Sequence, residues 1–188
     1  TWPGVTYHRV AQPLRKPRWV NQLWFAWVTW RATHRGFDVV HSHENTWHGD
    51  VHTIHVKPVR HNLLAGRTGL RRALAWLKIA LSPRLVTYVA LEAARFRGRP
   101  GRQVVMVSQS VQADALQVYP HAAPMASVVT PGVTLPGPGP SRAEARAALG
   151  LPADGTLLLF VANDYARKGL DGLLQALAGL PGDVALAV

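Results

Sequence analysis

Residues 156–177 read TLLLFVANDYARKGLDGLLQAL, and the order of residue types in this stretch decides the fold. The run Leu157-Leu158-Leu159-Phe160-Val161 is too short and too apolar for anything but a strand in a covered parallel sheet. Leu170, Leu173, Leu174 and Leu177 follow at i, i+3, i+4 and i+7, which predicts an amphipathic helix. Between them lie Asn163, Asp164, Tyr165, Arg167, Lys168 and Gly169. A helix start offers unpaired N–H groups and the positive end of a dipole, so two cations beside it make a seat for a phosphate or diphosphate. Open α/β sheets bind ligands outside the carboxyl ends of their strands, where this loop falls. Read alone, the same residues also describe a solvated Arg-Lys pair on a surface loop.

The remainder of the chain repeats the alternation of strand and helix, which predicts an α/β protein with parallel sheets. Residues 18–33 read as a helix, apolar on most sides through Trp19, Leu23, Trp24, Phe25, Trp27, Val28 and Trp30, and so expected in the core. Strands are expected over 37–43, 51–56, 103–108 and 125–129, with helices within 83–96 and over 111–119. Residues 134–140, TLPGPGP, read as a linker. Ser141 with Glu144 three positions on forms a capping box for a helix to Leu149, which Gly150 ends. Residues 183–188 read as another apolar strand. The expected division is 1–133 and 134–188.

The composition is that of a globular chain, with 48% apolar and 16% charged residues. The chain has no Cys, which excludes disulfides and thiolate metal sites and fits a reducing compartment. No run approaches the ~18 apolar residues of a membrane span. The net charge of +11 is concentrated between Lys57 and Arg102, where eleven bases face one acid, Glu92. Within that segment, residues 69–81, GLRRALAWLKIAL, place Leu70, Ala73, Leu74, Leu77 and Leu81 on one stripe and Arg71, Arg72 and Lys78 on the other side. Such a basic amphipathic helix with an aromatic suits an anionic membrane surface. Nucleic acid is the weaker reading, because no helix-turn-helix, RNP or zinc-finger pattern accompanies the charge.

His41, His43, His48, His52 and His55 fall within fifteen positions. Their spacing does not specify converging metal ligands, and no metal site is expected. His43 and His55 instead fall near carboxyl ends of strands, where an interdomain cleft would run. A neutral imidazole there can hydrogen-bond a hydroxyl group or accept its proton. Glu44 and Asp50 are candidate acids on the same side.

Four blocks resemble the retaining glycosyltransferases of family 4, in the GT-B class with two facing Rossmann-like domains. They are the strand, Arg167-Lys168-Gly169 and the Leu-rich helix; the strand ending in Pro131-Gly132-Val133; Val107-Ser108; and Asp38-Val39-Val40-His41-Ser42-His43. The Arg-Lys-Gly order is similar to the lipopolysaccharide-core branch. The resemblance implies that Lys168 contacts the diphosphate of a nucleotide-sugar, with Arg167, Gly169, Asn163 and Gly132 around the donor. It also implies that His55 is the cleft histidine at the transferred sugar. Family members often carry Gly-Arg after this strand, where the chain has Val161-Ala162, and Arg167 is expected to substitute. The family's pair of Glu residues seven positions apart has no counterpart after Glu144, so the chain is expected to be a fragment, inactive alone, holding part of an acceptor domain and the start of a donor domain.

The expected activity is metal-independent, retaining transfer of a sugar from a nucleotide-sugar to a glycan or lipid-linked acceptor, without a cofactor. It is expected in the cytoplasm, at the inner face of the membrane, in building the cell envelope. The alternatives are another GT-B enzyme, such as a sugar-nucleotide epimerase or phosphorylase, and a non-catalytic basic protein that binds membrane or nucleic acid.

Overall fold

Two parallel sheets organise the chain, one in each of two units, Thr1–Gly132 and Val133–Val188. The structure is a computed structural model and describes residues 2–180, 182 and 184–188.

In the first unit, strands β1 (His41–Ser42), β2 (Val51–Ile54), β3 (Gln103–Met106) and β4 (Ala126–Val128) lie side by side in sequence order, all parallel. Helices α1 (Arg18–Thr33), α2 (Val59–Leu64), α3 (Gly69–Ala80), α4 (Pro83–Phe96) and α5 (Gln109–Val118) complete it, with a 3₁₀ turn at Pro120–Met125. The main core joins Ile54, Val104 and Met106 of the central strands to Phe96, Ala115, Tyr119, Ala122 and Met125. A second core of Leu64, Ala75, Ile79 and Leu85 fastens α2, α3 and α4 together. Strands alternate their faces, so β2 and β3 each bury every second residue fully.

One buried carboxylate links these parts. Glu92, 1% exposed, accepts hydrogen bonds from the backbone N–H groups of Val59 and Arg60 and from the Tyr119 hydroxyl at 2.9 Å. The first two are orphan donors of the first turn of α2, and the cap before them, Pro58, supplies no side-chain oxygen. Glu92 therefore caps a neighbouring helix at its positive end. Tyr119 stacks on Phe96 with ring centroids 4.5 Å apart. Arg102 does the reverse at the other end of α4, donating to the carbonyls of Ala94 at 2.7 Å and Arg97 at 3.3 Å.

The structure departs from the sequence reading at several points. The strand expected over 37–43 keeps only His41–Ser42, and Phe37 and Val39 are exposed. It stands at the edge of the sheet, where its one neighbour begins at Val51, and Val40 is held only by Asp50 and the Val51 N–H. Helix α1 matches its expected span, yet only Ala26 is buried, and Trp24, Trp27 and Trp30 lie exposed along one side at i, i+3 and i+6. The core role assigned to these tryptophans is corrected: α1 has one packed side, and the periodicity was too uniformly apolar to show which. Arg95 and Arg102 are buried, so the cationic surface of the 57–102 segment is smaller than its charge count implies.

In the second unit, β5 (Thr156–Leu159) pairs in parallel with β6 (Val184–Ala187). Asp183, included in the expected last strand, lies outside the described residues. Ser141 and Glu144 form the expected capping box of α6 (Arg142–Ala148). The sheet is not covered on both faces: Leu159 and Val161 are 72% and 84% exposed. A two-stranded ladder leaves one run of alternate side chains unpacked, which an apolar run alone does not disclose. The expected single helix after the loop divides into α7 (Tyr165–Lys168) and α8 (Leu170–Leu177) at Gly169. Gly169 has φ 85°, in the left-handed region that favours glycine.

Replacing Glu92 by Ala strands two helix N–H groups and a buried hydroxyl, and is expected to lower stability by about 3 kcal/mol. Tyr119→Phe removes one donor only and is expected to cost about 1 kcal/mol. Urea unfolding of both variants measures the difference, and equal costs would refute the capping role of Glu92.

Candidate functional site

Of the residues expected around the donor, Asn163, Arg167, Lys168 and Gly169 lie between β5 and α8. Asn163 and Asp164 follow β5, and the Asp164 carboxylate caps α7 by accepting from the Arg167 N–H at 3.2 Å. It also pairs with Arg167 Nε at 3.3 Å. The amino end of α7 is thus occupied by a carboxylate from within the chain, and Arg167 is tethered to it. The available helix start is that of α8, where Gly169 is the cap residue and no side chain closes the first turn. Lys168 immediately precedes it and makes no ion pair among the described residues. Lys168 is exposed and unengaged, whereas Arg167 is already paired. Asp171 in the first turn of α8 is a competing negative charge.

Gly132 lies in the first unit, four residues beyond β4. Its φ is not positive, and an added Cβ would meet nothing within 4 Å. The backbone there does not require glycine, so its expected place beside a donor rests on the motif alone.

His41, His43 and His55 gather at the carboxyl ends of β1 and β2. His43 Nδ1 and His55 Nε2 share a hydrogen bond of 2.9 Å, and the rings of His41 and His43 stand 4.5 Å apart. His41 Nε2 lies 2.7 Å from the Thr53 hydroxyl. Burial, with His41 and His55 nearby, lowers the pKa of His43 despite the opposing charge of Glu44. Among the described residues, no group of three or more His, Asp or Glu side chains converges as a metal set. His55 lines a cavity of about 260 Å³ with His43, Glu44, Tyr88 and Arg95. Glu44 and Tyr88 also border a wider cavity of about 650 Å³ between α1 and the segment before it.

Asp50 belongs elsewhere. It sits at the amino end of β2, where its carboxylate accepts from the Val40 N–H at 2.9 Å and its N–H donates to the Val40 carbonyl. Its role is to fasten β1, and it is no candidate acid. His52 is fully buried, with both ring nitrogens unpartnered. An added Cβ at Gly49, φ 126°, would come within 3.2 Å of its ring. Burial, with Arg102 and Arg95 nearby, pulls the His52 pKa down to about 3.

The sequence analysis did not single out Arg95, which is buried and lines the same cavity as His55. Leu85, Val89, Glu92 and Phe96 run at i, i+4, i+7 and i+11, so a charge on the apolar stripe of α4 was the available signal that its ionic residues face inward.

The comparisons with known proteins agree with this architecture. No protein-family model matches the sequence. D-inositol 3-phosphate glycosyltransferase of Saccharomonospora viridis is 44% identical over 79 residues, covering 40% of this chain and 18% of that protein. The enzyme of the same name from Xylanimonas cellulosilytica is 40% identical over 100 residues, covering 46% of this chain and 24% of that protein. The crystal structure of WaaG, a glycosyltransferase involved in lipopolysaccharide biosynthesis, superposes with a TM-score of 0.72 at 22% identity, over 94% of this chain and 49% of WaaG. The chain carries part of a GT-B glycosyltransferase fold. The resemblance read from the four sequence blocks is thereby borne out. The chain spans about half the length of the solved GT-B structure, and its matches reach less than a quarter of each curated relative.

The depressed pKa of His52 has a consequence for stability. Above pH 6.5 the ring is neutral in folded and unfolded chains alike. Below it the unfolded chain takes up a proton that the folded one refuses, so stability falls by ~1.4 kcal/mol per pH unit until the folded pKa near 3 is reached. His52→Leu is expected to flatten the acid limb of stability against pH by about one proton, measured by urea unfolding between pH 4 and 8. An unchanged slope would refute the assignment.

Proposed function

We propose that the full-length protein transfers a sugar from a nucleotide-sugar to a glycan or lipid-linked acceptor, with retention of configuration and without a metal. The observation that carries this reading is Lys168, unpaired beside the uncapped start of α8, in a chain whose relatives are named glycosyltransferases. The donor diphosphate takes its place on Lys168 and the first N–H groups of α8, with Gly169 admitting close approach. Lys168 then offsets the charge that grows on the leaving diphosphate, which is the work a divalent metal does in other sites. Arg167 contributes less, because Asp164 holds it. Asn163 and Gly132 are further donor contacts in this reading. His55, bonded to His43, stands at the acceptor side to take the proton of the attacking hydroxyl.

The second part of the proposal is a seat on an anionic membrane. Leu70, Leu74, Leu77 and Leu81 of α3 and its cap are exposed, Leu70 by 75%, while Ala75 and Ile79 face the core. Arg71, Arg72 and Lys78 on the same helix are exposed as well, and Trp76 is 39% exposed. The apolar stripe that a self-packed helix would bury is thus presented outward, as on helices that lie in a lipid interface. Among the described residues no single helix is long and apolar enough to cross a membrane, and α3 with α4 qualifies only as a pair bent by 100°.

Titration calorimetry of the full-length protein with UDP-, GDP- and ADP-sugars tests the donor reading. One nucleotide-sugar is expected to bind, with Lys168→Ala weakening it at least tenfold and Arg167→Ala by less. Lys168→Ala is also expected to lower kcat by about a hundredfold. Absence of binding by folded protein, or a larger loss from Arg167→Ala, would contradict it. The membrane seat predicts that Leu74→Glu with Leu77→Glu reduces co-sedimentation with phosphatidylglycerol vesicles at least tenfold, with nucleotide-sugar affinity unchanged.

A further inference from the structure

Helices α2 and α3 and the end of α5 enclose a cavity of about 280 Å³, with Arg60, Leu64, Gly66, Arg72 and Gln117 in its wall. It shares no wall residue with the cavity at His55, and no carboxylate lines it. Arg60 is half-buried, its guanidinium held over the rings of Trp76 at 5.7 Å and Tyr119 at 5.1 Å. Trp76 stands one turn beyond Arg72 on the same side of α3, so the contact that holds Arg60 also brings Arg72 to this cavity. Two like charges thus face one small space. Neither forms an ion pair among the described residues, and the enclosed Nε of Arg60 has no hydrogen-bond partner.

The neighbouring acids are engaged elsewhere. Glu92 accepts from the N–H groups of Val59 and Arg60 and from the Tyr119 hydroxyl. That hydroxyl is close to the Arg60 side chain too, and its single oxygen leaves a guanidinium with donors to spare. Asp114 pairs with Lys57 at 3.0 Å and lies 3.2 Å from His61 Nε2. A carboxylate only accepts, so His61 Nε2 carries the proton, and Gln117 Oε1, 2.8 Å from it, accepts as well. The NH₂ of the Gln117 amide is the group left for a ligand.

We propose that this cavity binds a phosphate group between Arg60 and Arg72, with the Gln117 amide as a third donor. Guanidinium presents paired N–H groups that match phosphate oxygens, and it keeps its charge while stacked on aromatic rings. Two cations facing one cavity repel, and an anion between them turns that repulsion into attraction. Two sources carry such a group: a soluble phosphate ester and the headgroup of a phospholipid. Leu70 and Leu74 are exposed on either side of Arg72 along α3, so a headgroup seated here has apolar surface beside it for its acyl chains. That source would add a headgroup seat to the membrane reading above, on which the phosphate site itself does not rest.

The test titrates inorganic phosphate by calorimetry, at constant ionic strength, into the full-length protein carrying Lys168→Ala, so that the proposed donor seat does not contribute. Binding is expected, at least fivefold weaker once Arg72→Gln is added. Arg71→Gln removes the same charge from α3 outside the cavity and should leave phosphate affinity unchanged. Arg72 is exposed, so its replacement leaves the fold intact. Co-sedimentation with phosphatidylglycerol vesicles then separates the two sources. A headgroup ligand predicts that Arg72→Gln lowers vesicle binding at least threefold more than Arg71→Gln does. Equal losses on vesicles, with the phosphate titration as expected, assign the site to a soluble ester. Leu74→Glu with Leu77→Glu should leave phosphate affinity unchanged, and Arg72→Gln should leave nucleotide-sugar affinity unchanged, so failure here is distinct from failure of the membrane or donor readings. No phosphate binding by folded protein, or an equal loss of phosphate affinity from Arg71→Gln and Arg72→Gln, would overturn the proposal.

Discussion

The Glu92 carboxylate holds the first unit in its shape. It sits inside the core, on the apolar stripe of α4, and is satisfied by three donors from two other elements. Two of these donors are the free N–H groups of α2, whose own cap is a proline without a side-chain acceptor. The carboxylate thus sets where α2 starts, and with it the wall of the cavity below β2. The third donor, Tyr119, connects the same charge to the stacked ring of Phe96 and the main core. An isolated buried carboxylate is among the most costly groups a protein can hold, and the full set of donors is what makes this one tenable.

The buried cations differ in their partners. Arg95 lies near the Glu92 and Glu44 charges and over the Phe96 ring, while Arg102 and Arg146 donate to carbonyl groups at helix and loop ends. Two kinds of cation result. Those with carbonyl partners belong to the fold, whereas Lys168 makes no ion pair among the described residues. Net charge does not distinguish them, because a buried structural arginine and a ligand-facing one count alike in the total of +11.

Much of this was legible in the sequence, and the parts that were not share a cause. The helix spans of α1 and α4, the capping box at Ser141 and the alternation that makes parallel sheets follow from local pattern, and all appear as expected. The resemblance read from the motifs agrees with the names of the relatives. Facing was the failure. The tryptophans of α1 and Leu159 are apolar and exposed, whereas Glu92, Arg95 and His52 are polar and buried. Each inverts the rule that polarity predicts burial, and only the tertiary neighbours of each residue decide it. The split of one helix into α7 and α8 was hidden for a simpler reason. A glycine at a helix start and a glycine at a left-handed break look the same in one dimension.

The central claim is that the start of α8, with Lys168, receives the diphosphate of a sugar nucleotide. Amide hydrogen exchange of the full-length protein, with and without saturating nucleoside diphosphate, tests it most directly. The account predicts slowed exchange at the amides of residues 169–172, and none of that protection in Lys168→Ala. Protection confined to other segments, with the amides of 169–172 unchanged, would contradict it.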